Sequence, residues 1–316
     1  MPSSNVRWGP VLTRLNPWYP GQMGVPGTDN DTGLRLDSNG IILYVDPNHV
    51  DPSDQRDGTN PTAPLATIGE ALTQCRAYRN DTIIVAPSSY WTYGNTAVGR
   101  ATPISETVTV STPGVRIVGL MPSSALGVPW VADANNEVLI TVNAMDVLIE
   151  GFNFWDDGYT GVTAIYSDWN SPPYGETMTV RHCFFYNIAY GIRMDYTWNC
   201  HIHNNLFQDI TTAAINSVDT HGDPDYAIIE RNKFVDCTAA IDLEDTDDCL
   251  IHANLISGDG TGAANFIDLN GGGGGLVSDN WLSCTLAQYP VTCTDGAGTY
   301  IWVNNHCVDG DTVANA

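Results

Sequence analysis

Three carboxylates in the second half of the chain recur at a spacing that could support acid–base chemistry. Asp242 and Asp268 each follow an apolar pair, Ala-Ile or Phe-Ile, and Glu244 lies two residues after Asp242. Two carboxylates about 5 Å apart suit a retaining glycosidase, with one acting as the acid and the other as the nucleophile. Carboxylate oxygens are also the ligands that calcium prefers.

A solvated acidic surface is the interpretation that the composition favours for these carboxylates. The chain has 36 acidic residues and 12 basic ones, so carboxylates align by chance. We therefore assign no catalytic residue, no metal site and no cofactor from the sequence. Asp242, Glu244 and Asp268 stay as catalytic candidates, and Asp242 and Asp268 also as calcium candidates.

The elements that must position these side chains are repeated along the chain. Segments of eight residues align from Val147, Met178, Cys200, Ala227, Cys249, Gly275 and Tyr300. The third position is apolar in every copy, and the sixth is Asn in the last five. Because strands alternate their sides, the third position is expected to face a shared core. The Asn column predicts a tight turn and a ladder of stacked side-chain hydrogen bonds.

A second apolar pair follows most of the repeated segments and predicts a second strand. These pairs are Ala164-Ile165, Gly191-Ile192, Ala214-Ile215, Ala240-Ile241 and Phe266-Ile267. Each unit is therefore expected to form one coil of two or three short strands, with coils stacked about 4.8 Å apart. Stacking builds the core, since no coil can bury its apolar column alone. Asp242 and Asp268 then lie one coil apart, on an outward column with Tyr166, Arg193 and Asn216.

The repeats resemble the right-handed parallel β-helix of the pectate-lyase-like superfamily. The opening segment "YVDPNHVDPSDQRDGTNPTAPLATIGEALTQC", from Tyr44, also matches that superfamily. The resemblance covers roughly residues 41 to 310 and implies an all-β solenoid with a short N-terminal capping helix from Thr67 to about Tyr78. It implies a β-helix domain over 41–316. This scaffold hosts lyases, hydrolases, esterases and non-catalytic viral proteins, so the fold alone leaves the function open. The R-x-P-x-x-R pattern of the lyases is absent.

Residues 1–40 have a different composition, rich in Pro, Gly, Trp and Tyr, and their prolines exclude a long helix. One interpretation is an ordered flap on the solenoid. The other is an extended arm that binds a partner, because aromatic residues and Arg dominate binding hot spots. The arm loosely resembles N-terminal segments of tailed-phage virion proteins. The candidate partner-binding residues are Arg7, Trp8, Arg14, Leu15, Trp18 and Tyr19.

Charge and hydropathy exclude several partners. The net charge of −24, with a single lysine at Lys233, disfavours nucleic acid and anionic membranes. The sequence contains no run of 18 apolar residues that could span a membrane. The start, "MPSSNVRWGP", has no signal-peptide pattern, which argues against conventional secretion.

Histidines and cysteines could bind metal, but their positions favour structural roles. His203 and His252 share the fourth position of the repeat, with Glu230 between them and His201 nearby. Two coils separate the two histidines by about 10 Å, too far for one ion, so a surface ladder is expected. The chain has no C-x-x-C, and buried free thiols are preferred to disulfides, although Cys284 with Cys293 or Cys307 stays open.

An apolar row in the second position of the repeat predicts an interface or a covering loop. It reads Ile228, Leu250, Leu276 and Ile301, although this position should face outward. The resemblance implies a homo-oligomer, with a trimer favoured. The leading hypothesis is a virion structural protein of the capsid-decoration type on a phage surface, anchored by its arm to another virion protein. The alternative is an extracellular carbohydrate-active enzyme, a polysaccharide lyase or glycoside hydrolase, or a glycan-binding spike.

Overall fold

The architecture is a parallel β-solenoid with very little helix. The computed structural model describes residues 40–86, 91–92, 96–97, 103–120, 127–167, 176–195, 197–218, 224–258, 265–270, 273–284, 292–296 and 299–307. The strands form three long parallel sheets and one antiparallel pair, which joins β3 (Trp91–Thr92) to β4 (Thr96–Ala97). The all-β prediction and the resemblance to the right-handed parallel β-helix are confirmed.

The first sheet has ten strands, all parallel. In spatial order they are β1 (Ile42–Val45), β2 (Thr82–Val85), β6 (Arg116–Gly119), β9 (Leu148–Glu150), β12 (Thr179–Arg181), β15 (His201–His203), β18 (Ile228–Glu230), β21 (Asp247–His252), β24 (Gly274–Ser278) and β27 (Tyr300–Val303).

The second and third sheets have eight strands each. The second contains β7 (Val128–Val131), β10 (Phe152–Trp155), β13 (Phe184–Tyr186), β16 (Leu206–Gln208), β19 (Lys233–Val235), β22 (Leu255–Gly258), β25 (Trp281–Cys284) and β28 (His306–Cys307). The third contains β5 (Val108–Val110), β8 (Val138–Val142), β11 (Thr163–Ser167), β14 (Tyr190–Met194), β17 (Ala213–Asn216), β20 (Ala239–Glu244), β23 (Asn265–Asn270) and β26 (Thr292–Asp295).

The core is built from columns of identical position on successive coils. The third repeat position pairs Ile149 with Val180 and then Ile202, and all three side chains are fully buried. The eighth position stacks the rings of Phe185 and Phe207 at 4.5 Å between centroids, with 7° between their planes. Phe234 continues this stack at 4.9 Å from Phe207. Aromatic rings are well suited to such a column, because each buries a large apolar area against the next coil.

The Asn column forms the predicted ladder inside the solenoid. Asn232 Nδ2 donates to Asn254 Oδ1 at 3.2 Å, and Asn254 Nδ2 donates to Asn280 Oδ1 at 3.0 Å. Each amide also bonds the backbone: Asn254 Oδ1 accepts from the Asn232 N–H, and its Nδ2 donates to the Ile229 carbonyl. These bonds satisfy backbone groups that the corner between two sheets would leave unpaired.

The prediction that Asn itself forms the tight turn is wrong. The left-handed residue is the one immediately before it, with φ of 56° at Asn204, 53° at Arg231 and 53° at Ala253. The bend precedes the column because the Asn side chain has to point inward to reach the next coil. Residue types as different as Arg and Ala occupy the bend, so the repeated contacts between coils set its conformation.

The predicted capping helix is present but shorter than expected. Helix α1 spans Ile68–Gln74, with Thr67 as its N-cap accepting from the Glu70 N–H, and it buries Ile68 and Ala71. It ends before Tyr78 because Cys75 is extended (ψ 150°) and Tyr78 is left-handed (φ 58°).

Candidate functional site

The candidate carboxylates lie on the outward side of the third sheet, in the predicted register. Asn216 pairs with Asp242 and Asp242 with Asp268, so these three residues occupy successive coils. Glu244 follows Asp242 on β20 and pairs with Asn270. The alternate side chains of this strand, Ile241 and Leu243, point inward and are fully buried. We call Asn216, Asp242, Glu244 and Asp268 the acidic face.

The Asp242 carboxyl lies in an environment that favours its protonated form. Burial raises its pKa above the usual value, and the neighbouring carboxylates of Asp268 and Glu244 raise it further. Asp268 in turn accepts a hydrogen bond from the Thr294 hydroxyl on the next coil. Two carboxylates held in different environments are the arrangement that separates an acid from a base in glycoside chemistry.

Arg193 lies two coils before Asp242 in the same column, as the register through Asn216 requires. Its guanidinium forms an ion pair with Asp195 at 3.2 Å, and the Asp195 side chain is fully buried. The guanidinium also lies over the Tyr166 ring, 5.5 Å from its centroid. The carboxylate and the ring hold Arg193 in place and neutralise its charge.

Asn216 stands between Arg193 and Asp242 and carries an unusual polar atom. The residue is only 5% exposed, and in the described part of the chain its Oδ1 accepts no hydrogen bond. A buried acceptor without a donor costs about 1–3 kcal/mol.

No metal site is formed by the described residues. Over those ranges, no group of three or more His, Cys, Asp or Glu side chains is arranged to hold an ion. Seven cysteines are described and all are free thiols: Cys75, Cys183, Cys200, Cys237, Cys249, Cys293 and Cys307. Burial raises the pKa of several of them, including Cys183 to about 12, so they stay protonated. Cys284 has no described side chain, which leaves its pairing open.

His203 is more buried than a surface ladder predicts, whereas the His201 and His252 side chains are about one third exposed. His203 is 8% exposed, and its Nδ1 is 3.0 Å from Asn204 Nδ2. Burial, with basic neighbours that include His201 and Arg181, lowers the pKa of His203 to about 3, so its ring is neutral. The rings of His201 and His203 stack at 4.1 Å.

Sequence reasoning missed a buried ion pair in the same outward column of the first sheet. Arg181 Nη2 donates to Glu150 Oε2 at 2.9 Å, and both residues are almost completely buried. The signal was present in the repeats, because Glu150 and Arg181 hold the fourth position on adjacent coils. Alignment shows their opposite charges, but only the structure shows their burial.

The apolar row faces outward, as predicted. Ile228 is 36% exposed, Leu276 is 37% and Ile301 is 63%, and the register places Leu250 between Ile228 and Leu276. The candidate arm residues all precede residue 40 and lie outside the described residues. No described helix is long and apolar enough to cross a membrane.

Comparisons with known proteins agree with this architecture. The model of the family described as periplasmic copper-binding protein (NosD) matches residues 107–306. Among solved structures, a pectin methylesterase from Aspergillus niger aligns with a TM-score of 0.53 and 13% identity, over 88% of this chain and 91% of its own. No curated protein sequence matches the chain.

Two further solved structures align more weakly. A lacto-N-biosidase from Eubacterium ramulus aligns with a TM-score of 0.47 and 12% identity, over 84% of this chain and 59% of its own. A rhamnogalacturonan lyase aligns with a TM-score of 0.30 and 12% identity, over 86% of this chain and 75% of its own. At sequence identities this low, an alignment carries no information about function. The enzyme activities named here are those of the aligned proteins.

Proposed function

The chain belongs to the family described as periplasmic copper-binding protein (NosD), and from that premise we propose that it is a periplasmic or extracellular carbohydrate-active protein. Its acidic face would bind a glycan and hydrolyse it. The observation that carries this proposal is the pair Asp242 and Asp268 on adjacent coils, outward and in register. Within it, Asp242 is suited to hold a proton, because burial and its neighbours raise its pKa.

In this proposal Asp242 is the general acid that protonates the leaving oxygen of the glycosidic bond. Asp268 is the carboxylate partner that attacks the sugar or activates water, depending on the distance between the two carboxyl groups. A lyase mechanism in which a basic side chain takes part in removing the sugar proton fits less well. Arg193, the basic side chain of this column, is held by Asp195 and Tyr166.

Copper, named in the family description, does not fit the described side chains. His203 Nδ1 faces Asn204, His201 Nε2 faces Glu230 at 3.2 Å, and His182 Nδ1 faces Glu150 at 3.2 Å. No group of three metal-binding side chains occurs among the described residues. We therefore derive no copper chemistry. Calcium binding by Asp242 and Asp268 stays a proposal. Loss of glycan binding in the presence of a chelator would support it.

The sequence also suggested a virion protein. The solenoid fold is compatible with that role, but it is equally compatible with carbohydrate-active proteins. The family description favours the periplasm, and neither the fold nor the comparisons add an observation specific to a virion. The arm that would anchor it lies outside the described residues.

Activity on polysaccharides is the direct test of the proposed function. Purified protein is incubated with neutral, amino-sugar and acidic glycans, and products are measured as reducing ends and as unsaturated uronate absorbance. We expect new reducing ends without unsaturated products, and a loss of about 100-fold or more in Asp242→Asn, since general acid catalysis contributes about 10²–10⁴-fold. The matched control is Asp279→Asn, which removes one charge at the exposed bend after β24, where Asp279 lies 3.5 Å from His252 Nδ1.

Unsaturated products would contradict hydrolysis and assign a lyase. Equal activity of Asp242→Asn and the unmodified protein would remove Asp242 from the mechanism. In the Asp279→Asn control the left-handed backbone is preserved, because Asn occupies the same bend at Asn204 and Asn304.

A further inference from the structure

The outer surface of the first sheet carries two opposite charges beside the apolar row. Arg231 and Asp279 directly follow β18 and β24, at the same position of the repeat and two coils apart. The Arg231 side chain is 62% exposed and that of Asp279 is 49% exposed. Arg231 lies 3.7 Å from Glu230, and Asp279 lies 3.5 Å from His252. Because Glu230 and His252 point outward from their strands, both charges lie at the outer face of the sheet.

The coil between these two charges is the centre of a symmetric pattern. It carries Leu250 in the apolar row and Ala253 at the bend. One coil earlier Ile228 is 36% exposed, and one coil later Leu276 is 37% exposed. Apolar side chains therefore lie at equal distances on both sides of Leu250, and opposite charges lie at equal distances on both sides of Ala253.

A second copy of the chain matches this pattern. A two-fold axis that lies in the interface and runs along β21, through Leu250, reverses the order of the coils in the second copy and keeps the direction of the strands. Ile228 then faces Leu276 of the second copy, and Leu276 faces its Ile228, as a two-fold interface requires. Arg231 and Asp279 face each other in the same way, twice in one dimer. Packed sheets commonly keep their strand directions within about 30° of each other, and this arrangement does so.

We propose that the chain forms a two-fold dimer through the outer face of the first sheet, with the two solenoids antiparallel, Leu250 on the axis and two ion pairs between Arg231 and Asp279. Ile301, which is 63% exposed, then lies against His201 of the second copy, because the two residues are two coils from Leu250 in opposite directions. The inference is independent of the proposed function, since the acidic face lies on the third sheet.

Charge complementarity is the reason for choosing a second copy in this orientation. Two chains with a net charge of −24 repel each other, so contact is favoured where a cation meets an anion. At 3.7 Å Glu230 is beyond hydrogen-bonding distance of Arg231, whose guanidinium can therefore bind another carboxylate in a bidentate manner. The face spans five coils, roughly 20 Å, which is small for a stable complex, so we expect the dimer to dissociate in the micromolar range.

Charge exchange between the two bends tests the ion pairs by sedimentation equilibrium. Arg231→Asp and Asp279→Arg each place like charges opposite one another, and each should weaken the dimer by about tenfold or more. The double variant restores opposite charges, and its dissociation constant should return to within about threefold of that of the unmodified protein. Both bends are left-handed, with φ of 53° and 56°, and each residue type already occupies one of them. Melting curves check that every variant is folded.

Chemical cross-linking tests the position of the axis. In Leu250→Cys the new thiols of the two copies face each other, so a short bismaleimide should link the dimer on a denaturing gel. In Ile301→Cys the two thiols lie about 19 Å apart along the sheet, four steps of one coil, and should not be linked. The unmodified protein is the control for its own eight cysteines.

Each outcome supports or overturns a defined part of the proposal. Sedimentation as a monomer at all concentrations would overturn the dimer. Single charge variants without effect, or a double variant without recovery, would overturn the ion pairs. Cross-linking of Ile301→Cys as well as Leu250→Cys would place equal coils opposite each other and overturn the antiparallel orientation. Recovery in the double variant, with cross-linking at position 250 alone, supports the proposal.

Discussion

His203 illustrates how a single buried side chain makes stability depend on pH. It lies between Arg181 and Glu230 in its column, and burial, with Arg181 and other basic neighbours, lowers its pKa to about 3. The ordinary histidine pKa is about 6.5. Between these two values the unfolded chain binds a proton that the folded chain does not. Stability contributed by neutral His203 is therefore complete above about pH 6.5 and is lost as the pH falls.

Replacing this histidine should remove that pH dependence. We compare the free energy of unfolding of His203→Gln with that of the unmodified protein. When the pH falls from 7.5 to 5, this difference should shift in favour of His203→Gln by about 2 kcal/mol. The measurement is the free energy of unfolding in urea at both pH values. The difference between the two proteins should be constant from pH 7.5 to pH 8.5. A difference that is also constant down to pH 5 would contradict the buried neutral ring.

Residue-scale chemistry was the part least accessible from the sequence. The carboxylates Asp242 and Asp268 were found because the repeat fixes which side chains share a column. The pairing of Arg193 with Asp195 and the unpartnered oxygen of Asn216 were not found. Alternation along a strand gives the side of the sheet, but burial and hydrogen bonding depend on packing that no repeat pattern encodes.

The coil is the element at which sequence and structure agree most closely. Strand pairing between coils follows the aligned repeats residue by residue, as in Ile202 to Ile229 and Ile229 to Ile251. A one-residue slip would turn every apolar column outward, so the register is strongly determined. Element ends were less predictable: α1 stops at Gln74 because of backbone conformations at Cys75 and Tyr78 that propensity does not indicate.

The Asn ladder is expected to contribute a large part of the coil's stability. Asn254→Ala would leave the Asn232 N–H, the Ile229 carbonyl and part of the amide of Asn280 unsatisfied in the core. Because each unsatisfied buried group costs about 1–3 kcal/mol, we expect a loss of at least about 3 kcal/mol in the free energy of unfolding. Denaturant unfolding followed by circular dichroism measures it.

The matched control is Asn305→Ala at the end of the ladder. Asn305 is partly exposed, so water can replace the bonds that it makes to Asn280 and to the Val277 carbonyl. The loss in the free energy of unfolding should be clearly smaller for Asn305→Ala than for Asn254→Ala. Equal losses at the two positions would mean that the ladder is not the source of the effect.

The whole molecule presents an apolar row on an otherwise acidic surface. Ile228, Leu276 and Ile301 are each more than one third exposed, and they follow one another along the first sheet with Leu250. Contiguous exposed apolar side chains of this kind mark interaction sites. We therefore expect the protein to self-associate through this row, consistent with the oligomer suggested by the sequence.

Light scattering coupled to size-exclusion chromatography tests the association. The double variant Leu276→Ser with Ile301→Ser should elute as a monomer at concentrations where the unmodified protein is larger. Leu255→Ser is the control, because Leu255 is 39% exposed but lies on the second sheet. A monomeric unmodified protein, or an oligomer that survives the double variant, would contradict an interface at the row.

The parallel pairing of successive coils also has a consequence for how such a molecule can change over generations. From β9 to β27 each strand of the first sheet pairs with its neighbours through equivalent repeat positions, apart from one register shift at Asp247 and Cys249. A duplication of one coil in the gene would leave every junction compatible and lengthen the outward faces by about 4.8 Å. Gene duplication can thus change the length of the acidic face by whole coils. An insertion or deletion of a few residues would instead disrupt every column that follows it.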